Sequence, residues 1–345
     1  MAIRGLHAGR YPTGRGEDIS VSDAGEFGLI ARILARVAAA TGASADVVLG
    51  PGDDAAVVAA PDGTVVATTD VLVDQVHFRT DWSTAYDVGR KAAAQNLADV
   101  AAMGARPTAL LVGLATPAEL SLDWVDGLAD GLAAECADAG ATLVGGDVVR
   151  SSTLTVAVTA LGSLEGRRPV TRSGARPGDV VVVAGRLGYA AAGLALLQAG
   201  HGDHPLADAH RRPKVCYPAG VRLAEAGATA MIDVSDGLAA DVGHVATASG
   251  VRIELASDDL PLPASLLDAG LALGVDPLSW VAGGGDDHAF VATMSDQDAL
   301  RAMALLTDLP EPVPFAQLGH VVEGSGVVFV DAAPPGVAGH DHFGG

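Results

Sequence analysis

The stretch Ala230-Met231-Ile232-Asp233-Val234-Ser235-Asp236-Gly237-Leu238 passes from a short apolar run, through an acidic turn closed by glycine, into a second apolar segment. The run at 230–233 reads as a buried strand and 238–249 as a helix. Arg252 to Leu255 then reads as a further strand. Strand, turn, helix and strand in succession define a mixed α/β unit, and the neighbouring segments fit it. Val180 to Ala184, Ala289 to Thr293 and Gly326 to Val330 read as strands, and Tyr189 to Gln198 and Pro218 to Ala226 as helices.

The first half has the same mixed character. Phe27, Ile30, Ile33, Leu34 and Val37 recur at helical spacing over 26–40, and Thr41-Gly42 supplies a stop. Val47 to Leu49, Ala55 to Ala60 and Val65 to Thr69 are short β-rich runs separated by Gly-Pro-Gly and Pro-Asp-Gly turns. Helices over 87–103 and 123–139 and strands over 109–115 and 153–161 follow. Gly166, Pro169, Gly174, Pro177 and Gly178 interrupt the pattern, so a boundary is expected there. The expected organisation is a flexible tail over 1–22, an N-terminal domain over 23–165 and a C-terminal domain over 175–345.

A chain of 345 residues is long enough for two domains, and 49% hydrophobic against 18% charged residues excludes global disorder. The 42 acidic and 21 basic residues leave a formal charge of -21, which argues against a nucleic-acid partner. Only Lys91 and Lys214 are lysines, so phosphate binding would fall to arginine or metal. Two cysteines are too few for a disulfide framework, no apolar run is long enough to span a membrane, and a cytoplasmic location is expected.

Aspartate recurs at the ends of apolar runs or in glycine-rich turns: Gly52-Asp53-Asp54, Thr68-Thr69-Asp70, Gly145-Gly146-Asp147, Asp233 to Gly237, and Gly284-Gly285-Asp286-Asp287. Each site alone reads as ordinary turn chemistry. Their repetition fits a hard cation such as magnesium, which takes carboxylate and phosphate oxygens. Thr68 and Asp70 would share one strand face, and Asn96 and Asp99 one helix face, with plain helix solvation the alternative for the second pair. Two phosphate charges 4 Å apart repel by roughly 4 kcal/mol at an effective dielectric of 20, which is a physical reason for cations in such a site. Arg150, Arg172 and Arg211-Arg212 are candidate anion forks or solvated arginines, with Arg172 ranked first. His77 is either a ligand-facing or a core histidine, and His340 and His342 read either as metal ligands or as part of a polar tail, with the tail favoured. Walker A, kinase-lysine, dinucleotide and serine-elbow motifs are absent.

Together, Gly25-Glu26-Phe27-Gly28, Gly52-Asp53-Asp54-Ala55, Thr68-Thr69-Asp70, His77-Phe78, Asn96 to Ala105, Gly145-Gly146-Asp147, Thr171-Arg172-Ser173-Gly174, Asp233 to Leu238 and Gly339 to Phe343 resemble the thiamine-monophosphate kinase family. That family belongs to the aminoimidazole ribonucleotide synthetase-like superfamily. The resemblance implies a two-domain mixed α/β architecture, a homodimer paired through the N-terminal domains, and magnesium-dependent transfer of the ATP γ-phosphoryl group to thiamine monophosphate. It matches Asp54, Thr68, Thr69, Asp70, Asp99, Asp147, Asp233 and Asp236 to positions for several Mg2+ ions, and Gly146, Asp147, Arg172 and Ser235 to the nucleotide. His77, Asp286 and His340 match substrate positions. Asp286 stands where the family usually has glutamate, and His340 where it usually has tryptophan or tyrosine. In-line attack by an anionic phosphate oxygen needs no dedicated base, so Asp70, Asp236 and Arg172 are the expected catalytic residues.

Rival readings are a synthetase of the same superfamily and a protein that sequesters thiamine phosphates without turnover. Selenophosphate synthesis normally requires a reactive residue near the N-terminus, whereas the first cysteine is Cys136.

Overall fold

The computed structural model describes residues 20–40, 44–51, 55–331 and 334. The chain forms two compact units. The first takes in residues up to 60, 67–96 and 108–161, and the second 61–66, 97–107 and 162 onward.

In the first unit, the helix α1 (Val21–Ala40) is interrupted at Gly25, where φ is 65°. The strands β1 (Val47–Leu49) and β2 (Val57–Val58) form an antiparallel pair. They are followed by β3 (Val66–Val73), α2 (Ala85–Ala102), β4 (Arg106–Thr116), α3 (Leu122–Ala139), β5 (Thr142–Arg150) and β6 (Thr155–Ser163), of which the end of α2 from Leu97 and the first two residues of β4 belong to the second unit. The sheet has the order β3-β6-β4-β5, with β4 and β5 parallel. The start of α2 crosses α3 at glycine: a Cβ on Gly89 would lie 2.3 Å from the Leu128 carbonyl oxygen, and one on Gly131 would lie 2.1 Å from that of Tyr86. Real Cβ atoms do not approach that closely, so glycine permits the crossing. On the polar side of α3, Arg32 and Arg36 of α1 bind Asp126 at 2.5 and 2.6 Å, and Arg36 also binds Asp130 at 2.8 Å.

The second unit begins its regular structure with β7 (Val180–Ala184), α4 (Tyr189–Gln198), α5 (Ala207–Arg211) and α6 (Tyr217–Ala226). Next come β8 (Ala230–Asp233), α7 (Leu238–Ser249), β9 (Arg252–Leu255), α8 (Ala264–Leu273) and α9 (Leu278–Gly283). The chain ends its described elements with β10 (Phe290–Met294), α10 (Asp296–Thr307), β11 (Phe315–Val322) and β12 (Gly326–Phe329). These strands form a six-stranded sheet in the order β12-β9-β11-β7-β10-β8. All its described pairs are antiparallel except β12 with β9. Every residue of β7 is buried, which requires cover on both faces and explains an unbroken valine run without alternation. Val181 and Val183 join Ile232, Leu238, Val242 and Leu196 in one core, while α6 and α10 pack together beside β10 and β7.

The expected helices and strands of the second half are present, several with the expected limits. The helices α5, α8, α9 and α10 and the strand β11 lay outside the sequence reading. The segment Gly145-Gly146-Asp147 differs from its expectation: it lies inside β5, not in a turn or at a strand end. The missing Cβ of Gly146 is what admits it to the sheet, since that atom would fall 2.0 Å from the Val112 carbonyl oxygen.

Candidate active site

The expected site residues fall into two groups, one on each unit. In the first unit, Thr68 and Asp70 are half-buried on one face of β3, as the two-residue period requires. Thr69 faces the other way and its hydroxyl donates to the Val158 carbonyl at 2.9 Å, tying it to β6. Asn96 is fully buried; its Oδ1 accepts from the Asp70 N–H at 2.9 Å and its Nδ2 donates to the Ala92 carbonyl at 2.9 Å. Helix solvation is therefore excluded for Asn96, which instead clamps the backbone of Asp70.

His77 accepts the Val73 N–H on Nδ1 at 3.0 Å, which leaves the ring proton on Nε2. The buried Lys91 donates to the His77 carbonyl at 3.2 Å. Asp147 is exposed on β5, where its Oδ1 accepts the Val148 N–H at 2.9 Å. Strands β3 and β5 are opposite edges of the sheet, about 14 Å apart at about 4.8 Å per strand. Ligand oxygens on one magnesium ion lie about 4 Å apart at most, so Asp70 and Asp147 of this unit cannot share an ion.

The second unit brings its candidates together on two loops. Beyond the ends of β8 and β10 the antiparallel ladder continues: Val234 N–H donates to Ala289 O at 2.8 Å, His288 N–H to Val234 O at 2.8 Å, and Asp286 N–H to Ser235 O at 2.9 Å. Asp286 and His288 hold left-handed φ values of 64° and 51° to make these bonds, a strained arrangement that other contacts must stabilise. Gly285 lies so close to Ser235 that a Cβ would be 2.1 Å from its carbonyl oxygen.

One carboxylate holds the acidic turn. Asp241, buried on the first turn of α7, accepts the N–H groups of Ser235, Asp236 and Gly237 on Oδ2 at 3.1, 3.1 and 3.0 Å. Burial, together with the charges of Asp233 and Asp236, pushes its carboxyl up to about 7. Ligand atoms of Asp236, Asp241 and His244 lie within 4.8 Å of one another. For Asp241 burial is the larger cause and the neighbouring carboxylates add to it; that added repulsion is what a hard cation relieves. Asp99, half-buried, belongs to this unit and bears electrostatically on His288, as do Asp233 and Asp286.

Asp286 approaches the buried His210, with Oδ2 3.9 Å from Nδ1. Its neighbour Asp287 turns inward and accepts the N–H groups of Gly188 and Ala190 at 2.5 and 2.8 Å, capping α4. Burial pushes the Asp287 carboxyl up to about 7. Arg172 is exposed, and its carbonyl accepts the Ser249 hydroxyl at 2.9 Å. The candidates Asp54 and His340 lie outside the described residues.

Sequence reasoning passed over Asp241 and His288, and took Asp287 only as one of the paired aspartates of the Gly284 to Asp287 turn. Asp241 had a local signal, an aspartate four residues after a glycine that cannot itself cap the helix; His288 had none.

The mixed α/β chain is made of the two domains of the AIR synthase related proteins. The family model for their N-terminal domain matches residues 52–164, and that for their C-terminal domain matches 176–331. Within that class, the chain belongs to the thiamine-monophosphate kinase family. A thiamine-monophosphate kinase of Mycobacterium tuberculosis is 46% identical over 332 residues, covering 95% of this chain and 94% of that protein. The crystal structure of thiamine-monophosphate kinase from Stenotrophomonas maltophilia K279a superposes with a TM-score of 0.77 at 35% identity, over 87% of this chain and 96% of that one. A solved chain described as AaThiL complexed with AMPPCP and TMP gives a TM-score of 0.73 at 31% identity, over 95% and 100% respectively.

Proposed function

We propose that this chain phosphorylates thiamine monophosphate to thiamine diphosphate at the expense of ATP. The observation that carries the reading is the likeness, over 95% of this chain, to the solved chain complexed with AMPPCP and TMP. The bond from the γ-phosphorus to the β,γ-bridging oxygen breaks as a phosphate oxygen of thiamine monophosphate bonds to that phosphorus, leaving ADP. The attacking oxygen is already anionic near neutral pH, so the work of the chain is to position it and to manage charge.

Asp99, Asp233 and Asp236 in the second unit, Thr68, Thr69, Asp70 and Asp147 in the first, and Asp54 outside the described residues are the proposed cation-holding residues. The approach of the Asp236, Asp241 and His244 ligand atoms to within 4.8 Å of one another supports a cation site in the second unit. Magnesium, when bound there, supplies positive charge that offsets phosphate repulsion. Gly146, Asp147, Arg172 and Ser235 are assigned to the nucleotide, with the exposed Arg172 guanidinium a donor to phosphate oxygens. His77, Asp286 and His340 are assigned to thiamine monophosphate. Asp236, Asp70 and Arg172 are expected to dominate turnover.

Two domains are proposed, over 23–165 and 175–345. A homodimer paired through the first is supported by the edge strand β5 and by exposed apolar residues Val48, Leu49, Val57, Leu111 and Val149. An apolar cavity of about 1000 Å³ lies beside them, lined by Ile30, Leu34, Leu111, Leu128, Leu143 and Val148. No described helix is long and apolar enough to cross a membrane, and a cytoplasmic site of action is proposed.

The test is incubation of the full chain with thiamine monophosphate, ATP and magnesium, with ADP and thiamine diphosphate quantified by chromatography beside Asp236→Ala. Equal amounts of both products, absent from the variant, are expected. ADP without thiamine diphosphate would assign another acceptor, and neither product would overturn the activity.

A further inference from the structure

Among the described residues, His288 is a buried ionisable group that the proposed reaction leaves without a role. Its side chain is 4% exposed, and its Nδ1 lies 3.0 Å from Oδ2 of Asp233, itself 4% exposed. A carboxylate can only accept, so Nδ1 carries the hydrogen. The other ring nitrogen, Nε2, is buried with no hydrogen-bond partner among the described residues. Asp99 and Asp286 add their fields to that of Asp233 around the same ring. The backbone holds the ring there at a cost: φ of 51° and a bond from His288 N–H to Val234 O, one residue beyond Asp233.

A filler residue would not need a polar ring among three carboxylates, nor would it leave a nitrogen unpaired in the interior at the cost of its hydration. We propose that His288 is a positioning residue: its Nδ1–H holds one oxygen of Asp233 so that the carboxylate keeps a single orientation for the divalent cation. Carboxylates that bind metal are themselves held by hydrogen bonds, and removing such a partner typically lowers metal affinity 10- to 100-fold. The inference rests on the reading of Asp233 as a cation ligand.

The experiment is titration of the full chain with Mn2+ by calorimetry, in the presence of a non-hydrolysable ATP analogue, for the parent, His288→Asn, His288→Gln, His288→Leu and Asp233→Asn. Thermal melting is recorded for each without metal. The amide nitrogen of asparagine falls near the position of Nδ1, whereas that of glutamine reaches toward Nε2. Asp233→Asn and His288→Leu should both lose at least tenfold in Mn2+ affinity, with His288→Asn within threefold of the parent and His288→Gln clearly weaker.

An unchanged affinity in Asp233→Asn would overturn the cation reading and this inference with it. Loss in Asp233→Asn but parental affinity in His288→Leu would overturn the inference alone. Equal losses in the asparagine and glutamine variants, tracking their melting temperatures, would also overturn it, since that pattern marks a packing role. If the leucine variant fails to fold, the asparagine–glutamine contrast decides the matter.

Discussion

Replacing Asn96 by leucine tests whether a buried amide holds the aspartate strand in place. The side chain is fully buried, and both of its bonds, to Asp70 N–H and to Ala92 O, are 2.9 Å long. Leucine has the branched shape of asparagine but bulkier methyl groups, so no cavity is left and the loss is polar, with some crowding added. The Asp70 N–H loses its Asn96 acceptor, at about 1–3 kcal/mol. The Ala92 carbonyl loses less, because a helical carbonyl at that position still faces the N–H four residues on. Leucine regains part of this by burying apolar surface, leaving a net loss of about 2 kcal/mol. Urea denaturation followed by circular dichroism measures it as a lowered midpoint at unchanged slope. Turnover should fall by more than the unfolded fraction explains, because the backbone that carries the Asp70 carboxylate is released. A stability change below about 0.5 kcal/mol together with parental turnover would refute the clamp.

Gly146→Ala should displace β5 from β4, since the new Cβ would meet the Val112 carbonyl oxygen at 2.0 Å. Hydrogen exchange along 109–116 and 142–150 should rise sharply and nucleotide binding should weaken; an unaltered exchange pattern would contradict it. Asp287 gives a pH dependence of defined sign. Its carboxyl is raised to about 7 in the folded chain against about 4 unfolded, so the folded state holds the proton more tightly. The stability this contributes is complete below pH 4 and is lost as pH rises to about 7, by about 4 kcal/mol at most. Asp287→Asn should therefore flatten the decline in urea midpoint between pH 5 and 8, and an identical decline in both proteins would contradict the shift.

Much of the fold was legible because local patterns and tertiary packing agree. The segments 180–184, 189–198, 230–233, 238–249 and 252–255 have the limits expected from apolar runs and turn residues. The strand β5 was not legible. Two glycines and an aspartate read as a turn by composition, and only the approach of Val112 gives Gly146 its place in a sheet. The helix α10 likewise carried a cap, Ser295 accepting from Asp298 N–H at 3.2 Å, in a segment whose composition drew no attention.

The sequence by itself determined that the chain is a two-part α/β protein with aspartates at recurrent turns, and the order of its motifs pointed to the family. Those properties are local or cumulative: side-chain period, turn chemistry and composition act over a few residues. Tertiary structure alone decided which aspartates meet. It set Asp70 and Asp147 on opposite edges of one sheet, and gathered Asp99, Asp233 and Asp286 around His288. It also turned Asp241 and Asp287, alike in sequence to their neighbours, into buried caps for backbone N–H groups. Burial and the geometry of partners distant in sequence set those roles, and neither is written in the spacing of residues along the chain.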